Sequence, residues 1–347
     1  MTRNETEKST LLNAGRRSKW WRRKGTMKRG FNYVTHEGKP VTDEASLEKI
    51  RSLIIPPAWR SVLISPASGG KLQAVGIDTS GRIQYIYHSK FAEAQQRKKF
   101  GRIEKFGEFL PQLRQVTNEH ISLDGFPREK VLAIMIRLIN SLYIRMGTDK
   151  SVKHFRTYGI TTLRNRHVTI KSKGKVTFEF VGKSSIKHKK VLVDPELAAL
   201  LQELTGFGRG LKLFQYMNDD DTIQAVRPSQ INAYIKTATS SDFSAKDFRT
   251  WGASLLAAVK LAEIGAAENE TEIKKNIVQA VKTVAEELGN TPSVCRSSYI
   301  HPNVLKAYSQ GLVLDAFTPR RKKQAKRIEQ EFEPEELSLL SLFKQFR

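Results

Sequence analysis

The sequence predicts an α+β chain with two domains, a small β-rich N-terminal domain followed by a larger, mainly α-helical one. Three observations predict it. Between residues 31 and 104 the apolar side chains come in short alternating runs, the period-two pattern of half-buried strands. From about residue 105 they come in long stretches at helical spacing. A chain of 347 residues is also long enough to bury a sizeable core and to divide into two domains. The division expected is a basic disordered tail at 1–26, a β-rich domain at 27–104, a helical domain at 105–316, and a basic linker with a short helix at 317–347.

The elements follow in order. Residues 16–24 place six cations around Trp20 and Trp21, which reads as a solvated arm able to touch phosphates and stack on bases. Asp43 to Leu53 has a helical pattern with Leu47, Ile50 and Ile54 on one side, stopped by Pro56-Pro57. Short runs follow at Val62-Leu63-Ile64 and at Leu72 to Ile77. The turn Asp78-Thr79-Ser80-Gly81 then leads into Arg82 to Tyr87, giving a hairpin. Lys130 to Met146 is strongly apolar and is expected to be a helix ending at Gly147. A second hairpin joins His167–Lys171 to Lys175–Lys183, where Val176, Phe178 and Phe180 alternate with polar residues. Asp194 can cap a helix that has Pro195 at its first position. Residues 246–264 and 271–288 read as helices, and Glu335 to Phe346 as a short amphipathic one with an acidic start.

Charge is the strongest global signal. Lys and Arg number 59 against 35 Asp and Glu, a formal net charge of +24, which implies a polyanionic partner, nucleic acid first. No apolar stretch reaches the ~20 residues that span a bilayer, and the N-terminus carries no apolar signal core. The single cysteine, Cys295, excludes an intrachain disulfide and a multi-cysteine zinc site. A cytoplasmic, nucleoid-associated protein is expected, with no membrane partner. Two segments could mislead. Asn218-Asp219-Asp220-Asp221 lacks the glycine and distal glutamate of a calcium loop and reads as a solvated turn. Gly206-Phe207-Gly208-Arg209-Gly210 lacks the Lys-Ser/Thr of a phosphate loop and reads as a connector.

Four short segments carry the chemistry. They are Tyr143 to Gly147, Phe180 to Lys183, Lys246 to Gly252, and Leu288 to Tyr299. Each is weak alone. Together they hold what transesterification at a phosphodiester needs: a nucleophile, an acid for the leaving oxygen, and donors for the non-bridging oxygens. A tyrosine has a free pKa of about 10 and needs nearby cations to ionise near neutrality. Two arginines offer planar forks that match phosphate geometry. A lysine on a hairpin is a natural proton donor.

With these pieces the chain resembles type IB DNA topoisomerases of the poxvirus and bacterial branch, from about residue 27 to about residue 316. The most specific pieces are Lys246-Asp247-Phe248-Arg249-Thr250-Trp251 and Leu288 through Pro302; Ile55 to Trp59 and Gly81 to His88 also match. The resemblance implies the tyrosine recombinase/type IB topoisomerase catalytic fold in a C-shaped clamp on duplex DNA. It implies Tyr299 as nucleophile, Arg145 and Arg249 as phosphate clamps, and Lys183 as general acid. A 3′-phosphotyrosyl intermediate, no cofactor, no metal and action as a monomer follow from it. At Asn290 many relatives carry His; Asn can still donate a hydrogen bond but adds no charge. A helix cap at Gly289-Asn290 is the other reading of that residue.

In the N-terminal domain Tyr85 and Tyr87 share a strand face. That fits either a packed aromatic pair or a DNA contact, and the resemblance favours contacts in the major groove. Gln73 and Arg82 lie nearby in the reading and suit base edges. Lys150 follows a DNA-contacting lysine of the family, although Ser151 differs from the aromatic neighbour of some relatives. Two alternatives stand beside this reading. A tyrosine recombinase usually carries a His-x-x-Arg box, where this chain has Lys246 three residues before Arg249. A non-catalytic basic nucleic-acid-binding protein has the same charge but gives no reason for the ordered Arg145, Lys183, Arg249 and Tyr299.

Overall fold

The structure is a computed structural model that describes residues 15–208, 210–317 and 332–346. The chain divides into two units, residues 1–99 and 100–347. The first unit is built on β1 (Trp21–Thr26), β2 (Gly30–Val34), β3 (Arg60–Ile64), β4 (Leu72–Ile77) and β5 (Ile83–Tyr87), with helix α1 (Glu44–Ser52) between β2 and β3 in the chain. The strands form one antiparallel sheet in the order β2-β1-β3-β4-β5. Period two sends alternate residues to opposite faces. Val62, Ile64 and Ala74 pack with Ile50 of α1 on one face, and Leu63, Val75 and Ile77 form the cluster on the other. Asp43 starts α1 by accepting the Ser46 N–H at 2.8 Å, the ordinary N-cap contact.

One expectation is corrected here. The sequence reading puts residues 1–26 in a disordered tail, but Gly15–Lys19 forms a short 3-10 turn and Trp21–Thr26 is β1, inside the sheet between β2 and β3. The physical reason is the tryptophan pair. Trp20 packs on the Leu63 cluster and Trp21 on the Ile64 cluster, so the arm is anchored from both faces. Arg23 donates to the carbonyls of Pro56 at 3.2 Å, Pro57 at 3.2 Å and Trp59 at 2.6 Å. Its guanidinium also lies 4.1 Å from the Phe31 ring centroid. Residues 1–14 of the expected tail lie outside the described residues.

Helix α2 (Ser89–Glu108) runs through the division of the chain. After it come α3 (Leu110–Ile121), α4 (Arg128–Leu142), α5 (Asp149–Phe155), β6 (Val168–Lys171), β7 (Lys175–Val181), β8 (Lys187–Val193) and α6 (Pro195–Phe207). Then follow β9 (Gln215–Met217), β10 (Ile223–Ala225), α7 (Pro228–Thr239), α8 (Ala245–Ile264), α9 (Glu270–Leu288), α10 (Pro292–Ser298), α11 (Pro302–Ser309) and α12 (Pro334–Gln345). One large core gathers these elements around α4, whose residues Val131 to Ile136 are all buried. This middle stretch of α4 is apolar all round, which suits its place inside. Asp194 caps α6 by accepting the Leu197 N–H at 3.0 Å, with Pro195 at the first position.

Three details differ from the sequence reading. The hairpin is a three-stranded sheet, β6-β7-β8, because Lys187-His188-Lys189-Lys190 forms a strand that its charge disguises. Helix α4 ends at Leu142, four residues before Met146, because Tyr143 takes a left-handed conformation with φ 53°. The C-terminal helix is docked: its Glu336 is buried and accepts both arms of the Arg114 guanidinium at 2.7 Å. Residues 318–331 of the expected basic linker lie outside the described residues.

Candidate active site

The site is assembled where three helix ends meet. Arg249 stands on the second turn of α8 and is 5% exposed. Its Nη2 donates to the Leu288 carbonyl at 2.8 Å and its Nη1 to the Tyr143 carbonyl. Those carbonyls end α9 and α4. Helix ends leave such groups without intrahelical partners and carry partial negative charge, so a buried guanidinium satisfies both needs at once. Gly252 makes the approach possible, since a Cβ there would collide with the Tyr143 ring. The left-handed turn at Tyr143 ends α4 and sends the chain on to Arg145.

Arg145 is half-buried. Its Nη2 donates to the Gly289 carbonyl at 3.1 Å and to Oδ1 of Asn290. A guanidinium only donates, so the accepting atom must be the amide oxygen, and this fixes the orientation of the Asn290 amide. The Asn290 Nδ2 is buried without a hydrogen-bond partner. The two cap positions beside Asn290 are taken by others. Gly289, at φ 59°, closes α9, and Thr291 caps α10 by accepting the Val294 N–H at 3.3 Å. Asn290 therefore spends its side chain on Arg145 rather than on a helix end.

Tyr299 lies at the break between α10 and α11, its N–H donated to the Cys295 carbonyl at 2.9 Å. The Arg249 guanidinium is 5.4 Å from its ring centroid. Both Arg145 and Arg249 interact with the Tyr299 side chain through charge and hydrogen bonding. Burial lowers the pKa of both arginines, and the nearby Arg145 charge helps push Arg249 down to about 10. Both remain cationic at neutral pH. Ser254, fully buried, braces the break: it accepts the His301 N–H at 2.9 Å, donates to the Thr250 carbonyl at 2.9 Å and lies 3.3 Å from the Tyr299 carbonyl. Sequence reasoning missed Ser254, since nothing in a lone serine five residues after Arg249 signals this contact.

Lys183 is exposed on the turn from β7 to β8. The turn closes with the Gly182 N–H donated to the Ile186 carbonyl at 2.7 Å, and Ser184 and Ser185 take left-handed conformations. Lys183 lines the same pocket as Arg145 and Arg249. Arg145, Arg249, Asn290 and Tyr299, spread over 155 positions of sequence, thus come into contact, and Lys183 shares a pocket with the two arginines.

The expected DNA-binding residues fare differently. Tyr85 and Tyr87 share one face of β5 with ring centroids 6.2 Å apart, and are 47% and 46% exposed. Arg82 and Lys150 are exposed, Lys150 on the first turn of α5. Gln73 is corrected. It is 3% exposed, and its Nε2 faces the carbonyls of Ala67 at 3.3 Å, Ser68 at 3.0 Å and Gly70 at 2.5 Å. Its amide secures the 67–70 loop and does not reach outward to a base edge.

Asn218 to Asp221 forms the turn between β9 and β10, and Asp220 accepts the Thr222 N–H at 3.1 Å. Among the described residues, no group of three or more His, Cys, Asp or Glu side chains is placed to hold a metal ion, and no helix is long and apolar enough to cross a membrane.

Comparison with known proteins covers both units. Residues 88–329 match the eukaryotic DNA topoisomerase I catalytic core, and residues 30–78 match the bacterial DNA topoisomerase IB N-terminal domain. The chain is 30% identical over 285 residues to DNA topoisomerase 1B of Acanthamoeba polyphaga mimivirus, a match spanning 80% of this chain and 84% of that protein. It is 26% identical over 295 residues to DNA topoisomerase 1 of rabbit fibroma virus, spanning 80% and 89%. Against DNA topoisomerase 1B of vaccinia virus (strain Copenhagen) it is 23% identical over 284 residues, spanning 80% and 86%. With its catalytic core and N-terminal domain both matched, the chain belongs to the type IB DNA topoisomerase family.

Proposed function

We propose that this chain relaxes supercoiled duplex DNA by cutting one strand with Tyr299, letting the cut end rotate, and resealing it, with neither metal nor ATP in the chemistry. One observation carries the reading: two arginines whose orientation is fixed by helix-end carbonyls meet the Tyr299 side chain beside an unpartnered buried amide donor.

The Tyr299 oxygen attacks phosphorus and the bond from phosphorus to the 5′ oxygen breaks. Lys183 passes a proton to that oxygen, and the tyrosine proton goes to solvent. The strand is left as a 3′-phosphotyrosyl ester with a free 5′ hydroxyl. Arg145, Arg249 and the Asn290 Nδ2 hold the non-bridging oxygens where charge builds up, the role of preorganised donors in acyl and phosphoryl transfer. In resealing, the 5′ hydroxyl attacks and Lys183 takes the proton back. One ester replaces another in each direction, so no nucleotide is consumed. Torsion drives the rotation, so positive and negative supercoils both relax. The first unit meets the duplex through the β5 face of Tyr85 and Tyr87, with Arg82 beside it, and Lys150 adds a phosphate contact from the second. A monomer acting on nucleoid DNA fits this reading.

Plasmid relaxation in EDTA, wild type beside Tyr299→Phe, tests it. Wild type should relax supercoils of either sign, and Tyr299→Phe should lose at least about 10⁴-fold, the scale of removing a nucleophile. Relaxation that needs magnesium, or that survives Tyr299→Phe, contradicts the proposal.

A further inference from the structure

Lys183 sits on an exposed turn, while the groups it must act beside are fixed by helix ends. One side chain bridges the two. His188, on β8, is the register partner of Phe180 on β7, and their rings stack with centroids 5.1 Å apart at 24°. The far edges of the His188 ring lie against two glycines. A Cβ on Gly182 would come within 2.6 Å of the ring, and one on Gly289 would collide with it as well. Gly289, at φ 59°, has a backbone reason to be glycine. Gly182 has none, because its φ of −97° suits any residue. The His188 ring is what excludes a side chain there.

The neighbours of these glycines matter. Gly182 precedes Lys183, and Gly289 precedes Asn290, which holds Arg145. Two residues further along β8, the buried Lys190 donates to both the carboxylate and the carbonyl of Glu287, near the end of α9. The strand leaving the Lys183 turn is therefore tied twice to the helix that delivers Asn290, once by charge and once by the ring. Burial first, then the charges of Lys190, Arg145 and Arg249, push His188 down to about 4, while Glu287 opposes them. The ring adds no cation to a pocket that already holds several.

We propose that His188 is a positioning residue for the reaction, a neutral wedge that seats the 182–186 turn against the end of α9 and so aims Lys183 at the leaving oxygen. The proposal rests on the reading of Lys183 as the general acid, and the experiment separates the two. Single-turnover cleavage is measured at saturating duplex on two substrates, one with the ordinary 5′ bridging oxygen and one with sulfur in its place. A thiol is far more acidic than an alcohol, so the sulfur leaves without a proton donor. His188→Ala should slow cleavage of the oxygen substrate about 10–100-fold, the scale of a small misplacement of a catalytic group. On the sulfur substrate it should match wild type within about twofold, since an acid no longer counts. His188→Phe, which keeps an aromatic ring against Phe180 and the two glycines although a larger one, should recover part of the rate lost in His188→Ala. Gly182→Ala keeps the histidine but takes its space, and should reproduce the pattern even if His188→Ala folds poorly.

A wild-type rate for His188→Ala on the oxygen substrate overturns the proposal, and so does an equal loss on both substrates. Lys183→Ala is the reference. If sulfur rescues Lys183→Ala but not His188→Ala, the wedge fails and the acid stands. If sulfur fails to rescue Lys183→Ala, the acid assignment itself falls.

Discussion

Arg249 and Lys183 bring the same charge to one pocket, but the chain holds them in opposite ways. Arg249 is buried, rises from the second turn of a twenty-residue helix, and is fixed by carbonyls at the ends of two others. Lys183 is exposed, stands on a turn with two left-handed serines, and has its surroundings set by a strand packed behind it. The jobs proposed for them differ in the same way. Charge that builds on a phosphate is best met by donors that do not move, because reorganisation at the moment of reaction adds to the barrier. A proton donor must meet the leaving oxygen and then take its proton back, which suits a group at the pocket wall.

The contrast is sharpest where stability and rate are read together. Arg249→Ala should cut single-turnover cleavage at least about 10³-fold, at or above the usual cost of losing one transition-state donor. It should also cost about 1–3 kcal/mol in denaturant unfolding, since the Tyr143 and Leu288 carbonyls lose their partner. Arg249→Lys should not restore either quantity, because a point charge cannot span both carbonyls. Lys183→Ala should slow cleavage by about 10²–10⁴-fold, the range of a general acid. Its unfolding free energy should stay within about 0.5 kcal/mol of wild type, as for other exposed positions. If Lys183→Ala destabilised the fold as much as Arg249→Ala, the contrast would be broken.

Asn290 lies between these extremes. It is uncharged, its oxygen accepts from Arg145 and its Nδ2 is buried without a partner, so in the proposed reaction it would serve the site twice. Asn290→Ala should slow cleavage about 10²–10³-fold. Asn290→His should not slow it, since a neutral imidazole can accept from Arg145 on one nitrogen and donate from the other. Equal single-turnover rates for wild type and Asn290→Ala would remove the residue from the reaction.

The residues proposed for the chemistry were more legible in the sequence than the framework around them. Transesterification dictates residue types, so Arg145, Lys183, Arg249 and Tyr299 could be picked out by kind and order, and the structure gathers the two arginines with Tyr299 and sets Lys183 in their pocket. The long helices could be read because α4, α8 and α9 bury apolar faces at helical spacing. What escaped was packing that charge conceals. β1 and β8 are rich in cations, and their periodicity shows only once Trp20 and Trp21 are seen on opposite faces and Lys190 is seen paired with Glu287. Gln73 shows the same limit from the other side. An amide that suits a base edge suits backbone carbonyls equally well, and only the fold brings the 67–70 loop to it. Ser254 and His188 act through shape and single contacts, which leave no trace in spacing.

The smallest effect separates binding from chemistry. Tyr85 and Tyr87 are about half exposed on one face of β5, and Tyr87 also leans on Phe91 at 5.3 Å, so part of each ring belongs to the sheet and part is offered outward. Stacking on a base is worth about 1–3 kcal/mol, and a duplex offers these rings less than a full stack. The double variant Tyr85→Ala/Tyr87→Ala should therefore raise the DNA concentration for half-maximal cleavage about tenfold, the equivalent of roughly 1.4 kcal/mol. The plateau rate should change far less than in any variant of the arginine site, because the role proposed for the β5 face is binding and not chemistry. Cleavage measured over a range of DNA concentrations gives both numbers from one curve. A fall in the plateau as large as that of Asn290→Ala would mean that the two tyrosines help to align the scissile phosphate, and binding could then no longer be assigned to the sheet and chemistry to the helix ends.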